Sequence, residues 1–241
     1  MNMNSLISAR LFRRIQRVLP LILLAVTAFG AATQACAGGV ALGATRVIYP
    51  QGDKQTSLPV TNSSTSNVFL IQSWVANADG SRSGDFIITP PLFVLPPQKE
   101  NILRIMYVGP TLPTDRESVF FLNSKAIPSV DKRRLQGNTL QIATQSVIKL
   151  FVRPKDLPTP STAAPAALRC QRRAGSITIV NPSPYYVSLV DLHVGQAKLA
   201  NTMVAPKASL TLNTAGKSGS FTFQTVNDFG ANTPKQTCEA G

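Results

Sequence analysis

The chain has 241 residues, 24 basic against 11 acidic side chains and a formal net charge of +13. Such a balance fits nucleic acid, an anionic membrane or an acidic protein as partner. One histidine and no cysteine cluster argue against a zinc centre, no glycine-rich phosphate loop is present, and no cofactor is expected.

Arg10, Arg13, Arg14 and Arg17 precede an apolar run over 19–32, and no acidic residue comes before Asp53. Ala35-Cys36-Ala37 ends the run as a small-x-small cleavage signal. This is the layout of a secretory signal peptide over 1–37, with the mature chain starting at Gly38 or Gly39. The run is short for a membrane anchor. Thr33 and Gln34 stand where a lipid-attachment signal at Cys36 wants apolar or small residues. Nothing later is long and apolar enough to span a membrane, so no stable insertion is expected. Export makes nucleic acid the least expected partner, and Arg172-Arg173 and Lys132-Arg133-Arg134 read as solvated loop charges. About 200 exported residues suit two domains. Cys36 leaves with the leader, and the remaining even pair, Cys170 and Cys238, reads as a disulfide in an oxidising compartment.

From Val40 onward the hydrophobic period is two, and no segment carries a helical stripe. Strands are expected over 40–49, 54–61 and 68–75, the last closed by the turn Asn77-Ala78-Asp79-Gly80. The run over 86–95 is interrupted by Pro90-Pro91, which makes it an edge or sheet-switching strand. Further strands follow over 102–107, 118–127 and, unusually long, 140–152. Seven short strands with frequent turns predict an immunoglobulin-type β-sandwich. Arg153-Pro154 ends the long strand, and the stretch over 158–165, rich in proline, threonine and alanine, reads as a linker. The same texture returns over 176–180, 185–192, 209–212 and 220–226. The fold class is therefore all-β, two sandwich domains over 38–156 and 157–241.

Catalysis needs a constellation that the sequence lacks. Ser188, Asp191 and His193 lie close in sequence, but residues along one strand rarely take triad geometry. No enzyme is expected.

One segment is distinctive: Leu112-Pro113-Thr114-Asp115-Arg116-Glu117-Ser118-Val119-Phe120-Phe121-Leu122-Asn123-Ser124-Lys125-Ala126-Ile127-Pro128. It resembles the signature of the periplasmic pilus chaperones, the PapD-like family, with Ser124 standing where an aliphatic residue is usual. Gly43-Ala44-Thr45-Arg46-Val47-Ile48-Tyr49-Pro50, Ile148-Lys149-Leu150-Phe151-Val152-Arg153-Pro154, Asn181-Pro182-Ser183-Pro184-Tyr185-Tyr186 and Val226-Asn227-Asp228-Phe229-Gly230 match in the right order. The resemblance covers essentially the whole exported chain and looks nearest to the type 1 fimbrial branch. A short connection from Pro128 to Leu140 and a first domain without cysteine resemble the class that assembles rod-like, adhesin-tipped pili.

The resemblance implies two immunoglobulin-like domains set in an L, a periplasmic location, and pilus subunits (a tip adhesin among them) and an outer-membrane usher as partners. Such chaperones fill the open groove of a subunit with their own long strand, an addition in which backbone bonds give affinity and alternate side chains give specificity. Leu140, Ile142 and Thr144 are the matching plug positions, and they share a face with Ser146 and Ile148. Thr144 replaces a large aliphatic. Arg46 and Lys149 match the cleft pair that holds the subunit's terminal carboxylate. Glu117, Arg153 and Asp228 match an interdomain charge network. The competing readings are a secreted immunoglobulin-like adhesion or carbohydrate-binding module and a periplasmic hydrolase. An adhesion module has no reason to keep a long alternating strand bracketed by Arg46 and Lys149.

Overall fold

The computed structural model describes residues 38–129 and 142–238. The expected leader over 1–37 and Leu140 lie outside the described residues. Among the described residues no helix is long and apolar enough to cross a membrane.

Two β-sandwiches follow one another along the chain. In the first, β1 (Val40–Leu42), β3 (Thr56–Asn62), β5 (Phe86–Thr89) and β7 (Glu100–Tyr107) form a sheet in the order β1-β3-β7-β5. Facing it are β2 (Arg46–Pro50), β4 (Phe69–Ala76), β6 (Leu92–Leu95), β8 (Ser118–Pro128) and β9 (Thr144–Arg153), in the order β2-β9-β8-β4-β6. Alternation decides which side chains meet between the sheets: Leu58 and Val60 of β3, Leu103 and Ile105 of β7, Leu122 of β8 and Leu150 and Val152 of β9 are all buried. Each such side chain contributes about 1.5–3 kcal/mol relative to exposure.

Two of the expected strands are each two strands. The run over 40–49 breaks at Gly43, where the chain passes from one sheet to the other: β1 pairs with β3, and β2 pairs with β9. The Gly43 amide donates to the Pro59 carbonyl at 2.8 Å, and a Cβ at this position would lie 3.1 Å from the Pro59 ring. The run over 86–95 switches sheets at Pro90-Pro91, β5 joining β7 and β6 joining β4. A proline has no amide to give to a ladder, so pairing ends there. Ser124, unusual in its motif, is buried with its hydroxyl 3.3 Å from that of Ser73, which satisfies a polar group inside the sandwich.

The second sandwich has a sheet of β10 (Arg169–Arg173), β11 (Ser176–Asn181) and β15 (Ala208–Asn213). Its other sheet runs β13 (Ala197–Lys198), β12 (Val187–Val194), β16 (Phe221–Thr225), β17 (Gln236–Cys238), with β14 (Thr202–Val204) also on β12. Ile177, Ile179, Leu189, Leu192, Phe221 and Phe223 fill the space between them. Cys170 on β10 and Cys238 on β17 form a disulfide, with Cα atoms 5.8 Å apart, that ties one sheet to the other. The stretch read as a linker is partly folded. Ser161–Ala163 is a 3-10 turn, α1 (Ala164–Ala167) follows with a proline at its start, and Ala164 packs into the second core.

The two sandwiches share one local device. Asn62 at the end of β3 donates to the carbonyls of Asn67 (2.8 Å) and Pro96 (3.0 Å) and accepts the Ser64 amide at 3.0 Å. Asn181 at the end of β11 does the same with Tyr185 (2.7 Å), Ala205 (3.0 Å) and the Ser183 amide (3.0 Å). Both asparagines are fully buried, so each supplies hydrogen bonds that loop backbone could not otherwise find away from water.

Candidate functional site

The strand register brings the key residues together. β2 runs parallel to β9, with Arg46 opposite Lys149 and Pro50 opposite Arg153. On its other side β9 pairs with β8 along Thr144 to Val152. Since β2 begins at Arg46, the stretch over 144–148 is hydrogen-bonded on one side only. Thr144, Gln145, Ser146 and Val147 are exposed there, and Ile142, just before the strand, is 65% exposed. Further along, Leu150, Phe151 and Val152 are buried. One strand is thus half core and half open edge, and the change falls at Ile148 and Lys149.

Lys149 faces the second sandwich, its ammonium donating to the Ser188 hydroxyl of β12 at 2.8 Å. Arg46 likewise reaches across, Nη1 donating to the Val226 carbonyl at 3.0 Å, while its buried Nε has no partner. Among the described residues neither cation has a carboxylate within ion-pair distance. Burial pushes both below their ordinary values. Asp228 and Glu117 partly offset this for Arg46, and Arg46 lowers Lys149 further. A new anion here would reverse these shifts.

Arg153, four residues along β9, has the opposite surroundings. Nε donates to Glu117 at 2.6 Å, and the two terminal nitrogens make a fork on Asp228 at 2.7 and 2.8 Å. Its guanidinium also lies 5.1 Å from the centre of the Tyr185 ring, within range of cation–π attraction. Burial alone would lower the Arg153 pKa, but the two carboxylates carry it well above its ordinary value. Glu117 bridges the sandwiches a second way: it accepts the Tyr186 amide at 2.8 Å, and its own amide donates to Pro184 at 2.9 Å. Burial raises Glu117 despite the pull of Arg153, whereas the hydrogen bond from Arg153 lowers Asp228.

These groups border a cavity of about 200 Å³ between the sandwiches, lined by Arg46, Arg153, Phe151, Val187, Val226 and Phe229 among others. Its lining sets Arg46 and Arg153 with Glu117 and Asp228 on one side, next to the apolar Phe151, Val187 and Val226. Sequence reading missed Ser188, Ser161, which donates to Asp228 at 2.8 Å, and Tyr185 as members of the site. Tyr185 and Tyr186 were visible as a motif; nothing marked the two serines. Ser188 does not join Asp191 and His193: Ser188 takes Lys149, while His193 Nδ1 lies 3.1 Å from the Asp191 carbonyl and 3.6 Å from its carboxylate.

Comparison with known proteins agrees along the chain. Residues 39–158 match the profile described as pili and flagellar-assembly chaperone, PapD N-terminal domain, and residues 163–237 that of pili assembly chaperone PapD, C-terminal domain. The probable fimbrial chaperone protein ElfD of Escherichia coli (strain K12) is 51% identical over 205 residues, covering 84% of this chain and 88% of that protein. The crystal structure of the periplasmic chaperone SfaE is similar at a TM-score of 0.73 and 45% identity, over 83% of this chain and 99% of the other. A Salmonella enterica SafA pilin in complex with the SafB chaperone gives a TM-score of 0.74 at 32% identity, over 83% and 95%.

Proposed function

This chain belongs to the PapD-type pilus-assembly chaperones, and from that premise we propose that it works in the periplasm by lending the open edge of β9 to a pilus subunit whose terminal carboxylate is held by Arg46 and Lys149. The single observation that carries the proposal is the coincidence of boundaries. The unpaired stretch over 144–148 ends where two desolvated cations stand opposite each other. A chain end held at that point, and lying along 144–148, must run toward Lys149. It therefore adds in parallel to β9, in line with β2 and in the same direction. Parallel addition satisfies backbone groups on both partners, and the fixed terminus sets the register; a one-residue slip would turn every side chain to the wrong face.

Several comparisons support this reading: a relative named as a fimbrial chaperone, a similar structure named as a periplasmic chaperone, and one that contains a pilin. A tip adhesin and an outer-membrane usher are the further partners that go with it. Leu140, Ile142 and Thr144 present alternate side chains to the subunit. Glu117, Arg153 and Asp228 hold the two sandwiches at the angle that keeps Ser188 against Lys149.

The test is co-expression with a fimbrial subunit and purification from the periplasm, with mass identification of the partner. Arg46→Ala and Lys149→Ala should each lose about 1.5–3 kcal/mol of binding, tenfold or more, with unchanged circular dichroism. Normal capture by both folded variants would refute the clamp.

A further inference from the structure

The Asn227-Asp228-Phe229-Gly230 turn displays an aromatic ring that neither core uses. Phe229 is 95% exposed, the highest value among the exposed large hydrophobics of the described residues. Its backbone is nevertheless tightly fixed. The Asn227 side-chain oxygen accepts the Phe229 amide at 3.1 Å and the Ala231 amide at 2.9 Å. The Asn227 amide donates to Ala231 and the Gly230 amide to Asn227, each at 3.0 Å. Asp228 is clamped by Arg153 and Ser161. Gly230 has a φ of +86°, open to glycine at little cost, and a Cβ there would collide with the Thr45 hydroxyl, so the turn lies directly against the residue before Arg46. Two of these contacts, Arg153 on Asp228 and Thr45 against Gly230, tie the turn to the first sandwich.

Position supplies the second observation. Phe229 borders the same cavity as Arg46, together with Phe151, Val187 and Val226. A chain end whose carboxylate reaches Arg46 and Lys149 along the line of β2 arrives beside Thr45, and so beside this turn. The last side chains of such a chain end would fall beside the apolar part of that lining.

We infer that Phe229 is a specificity-determining contact for the final residues of the bound subunit, favouring chain ends that carry an aromatic or large aliphatic side chain next to the free carboxylate. The inference rests on the clamp reading above. A turn whose backbone is fixed in advance presents its side chain at a set place and spares the ordering cost of the loop on contact.

The experiment uses the mature protein and fluorescent β-strand peptides of alternating valine and serine, ending in phenylalanine or alanine, each as free acid or amide. Affinities are read by fluorescence polarisation for wild type, Phe229→Ala and Phe229→Tyr. Phe229→Ala should weaken the phenylalanine-ended acid about fivefold, leave the alanine-ended acid within about twofold, and keep the melting temperature; Phe229→Tyr should restore binding. An equal loss for both acids, or no loss, with the preference for acid over amide intact, would overturn the assignment of Phe229 alone. Equal binding of acid and amide to wild type would overturn the clamp and this inference with it.

Discussion

Two groups of cations stand in one cleft with opposite surroundings. Arg153 is enclosed by Glu117 and Asp228, and its bonds to them join the two sandwiches. Arg46 and Lys149, four residues away along the same pair of strands, have a carbonyl and a hydroxyl for company and no carboxylate within ion-pair distance among the described residues. The first arrangement is complete without a ligand. The second keeps two positive charges partly out of water and near each other, a cost that a bound carboxylate would remove. The difference separates the contacts that hold the sandwiches together from the pair proposed to take a carboxylate.

Truncation should expose that difference most strongly. Arg153→Ala leaves Glu117, only 3% exposed, as an uncompensated buried carboxylate, and is expected to cost about 3–5 kcal/mol. Lys149→Met removes a desolvated cation and should leave stability unchanged or raise it. Urea unfolding of the two variants side by side checks both. A large loss in Lys149→Met would mean that Lys149 is structural, and the comparison would fail.

Thr144 tests the open edge itself. It begins β9 opposite Ala126 and is exposed. When its side chain enters an apolar pocket, the hydroxyl loses water at a cost of about 1–3 kcal/mol if unpartnered. Thr144→Leu should therefore raise the melting temperature of the subunit complex and slow exchange with a competing donor peptide. A less stable complex would mean that the pocket is cut for threonine and that over-packing dominates.

Acid sharpens the account of the network. Asp228 is lowered in the fold by its hydrogen bond from Arg153, so its contribution is complete above the unfolded value of about 3.9 and is lost as pH falls through the lower folded value. Glu117 has the opposite sign. Burial raises it, so its contribution is full below about 4.3 and is lost as pH rises through the higher folded value. Melting temperature against pH should lose its most acidic decline in Asp228→Asn, and its gain on mild acidification in Glu117→Gln. Identical pH profiles for wild type and both variants would contradict the assignment.

Alternation made most of both sandwiches legible, because a period of two with buried Val, Ile, Leu and Phe has few other readings. What escaped was short or shared between sheets. β13 has two residues and β14 and β17 three each, too few to show alternation. β10 is mostly arginine and glutamine, with Cys170 its single buried residue. The split at Gly43 depends on a close approach to Pro59 that only the folded chain contains. The cleft was legible by resemblance, not by pattern. Arg46 and Lys149 lie 103 positions apart and meet because β2 pairs in parallel with β9. Ser188 and Ser161 gave no signal, since a serine's role is set by its neighbour across the cleft.

The most direct test of donor-strand capture is amide hydrogen exchange along β9, with and without a bound subunit. The account predicts that amides over 144–148 which do not bond to β8 are exchangeable in the free protein and become strongly protected in the complex, while those over 150–152 are protected in both. Unchanged exchange over 144–148 in a formed complex, with protection appearing instead on another sheet edge, would contradict it.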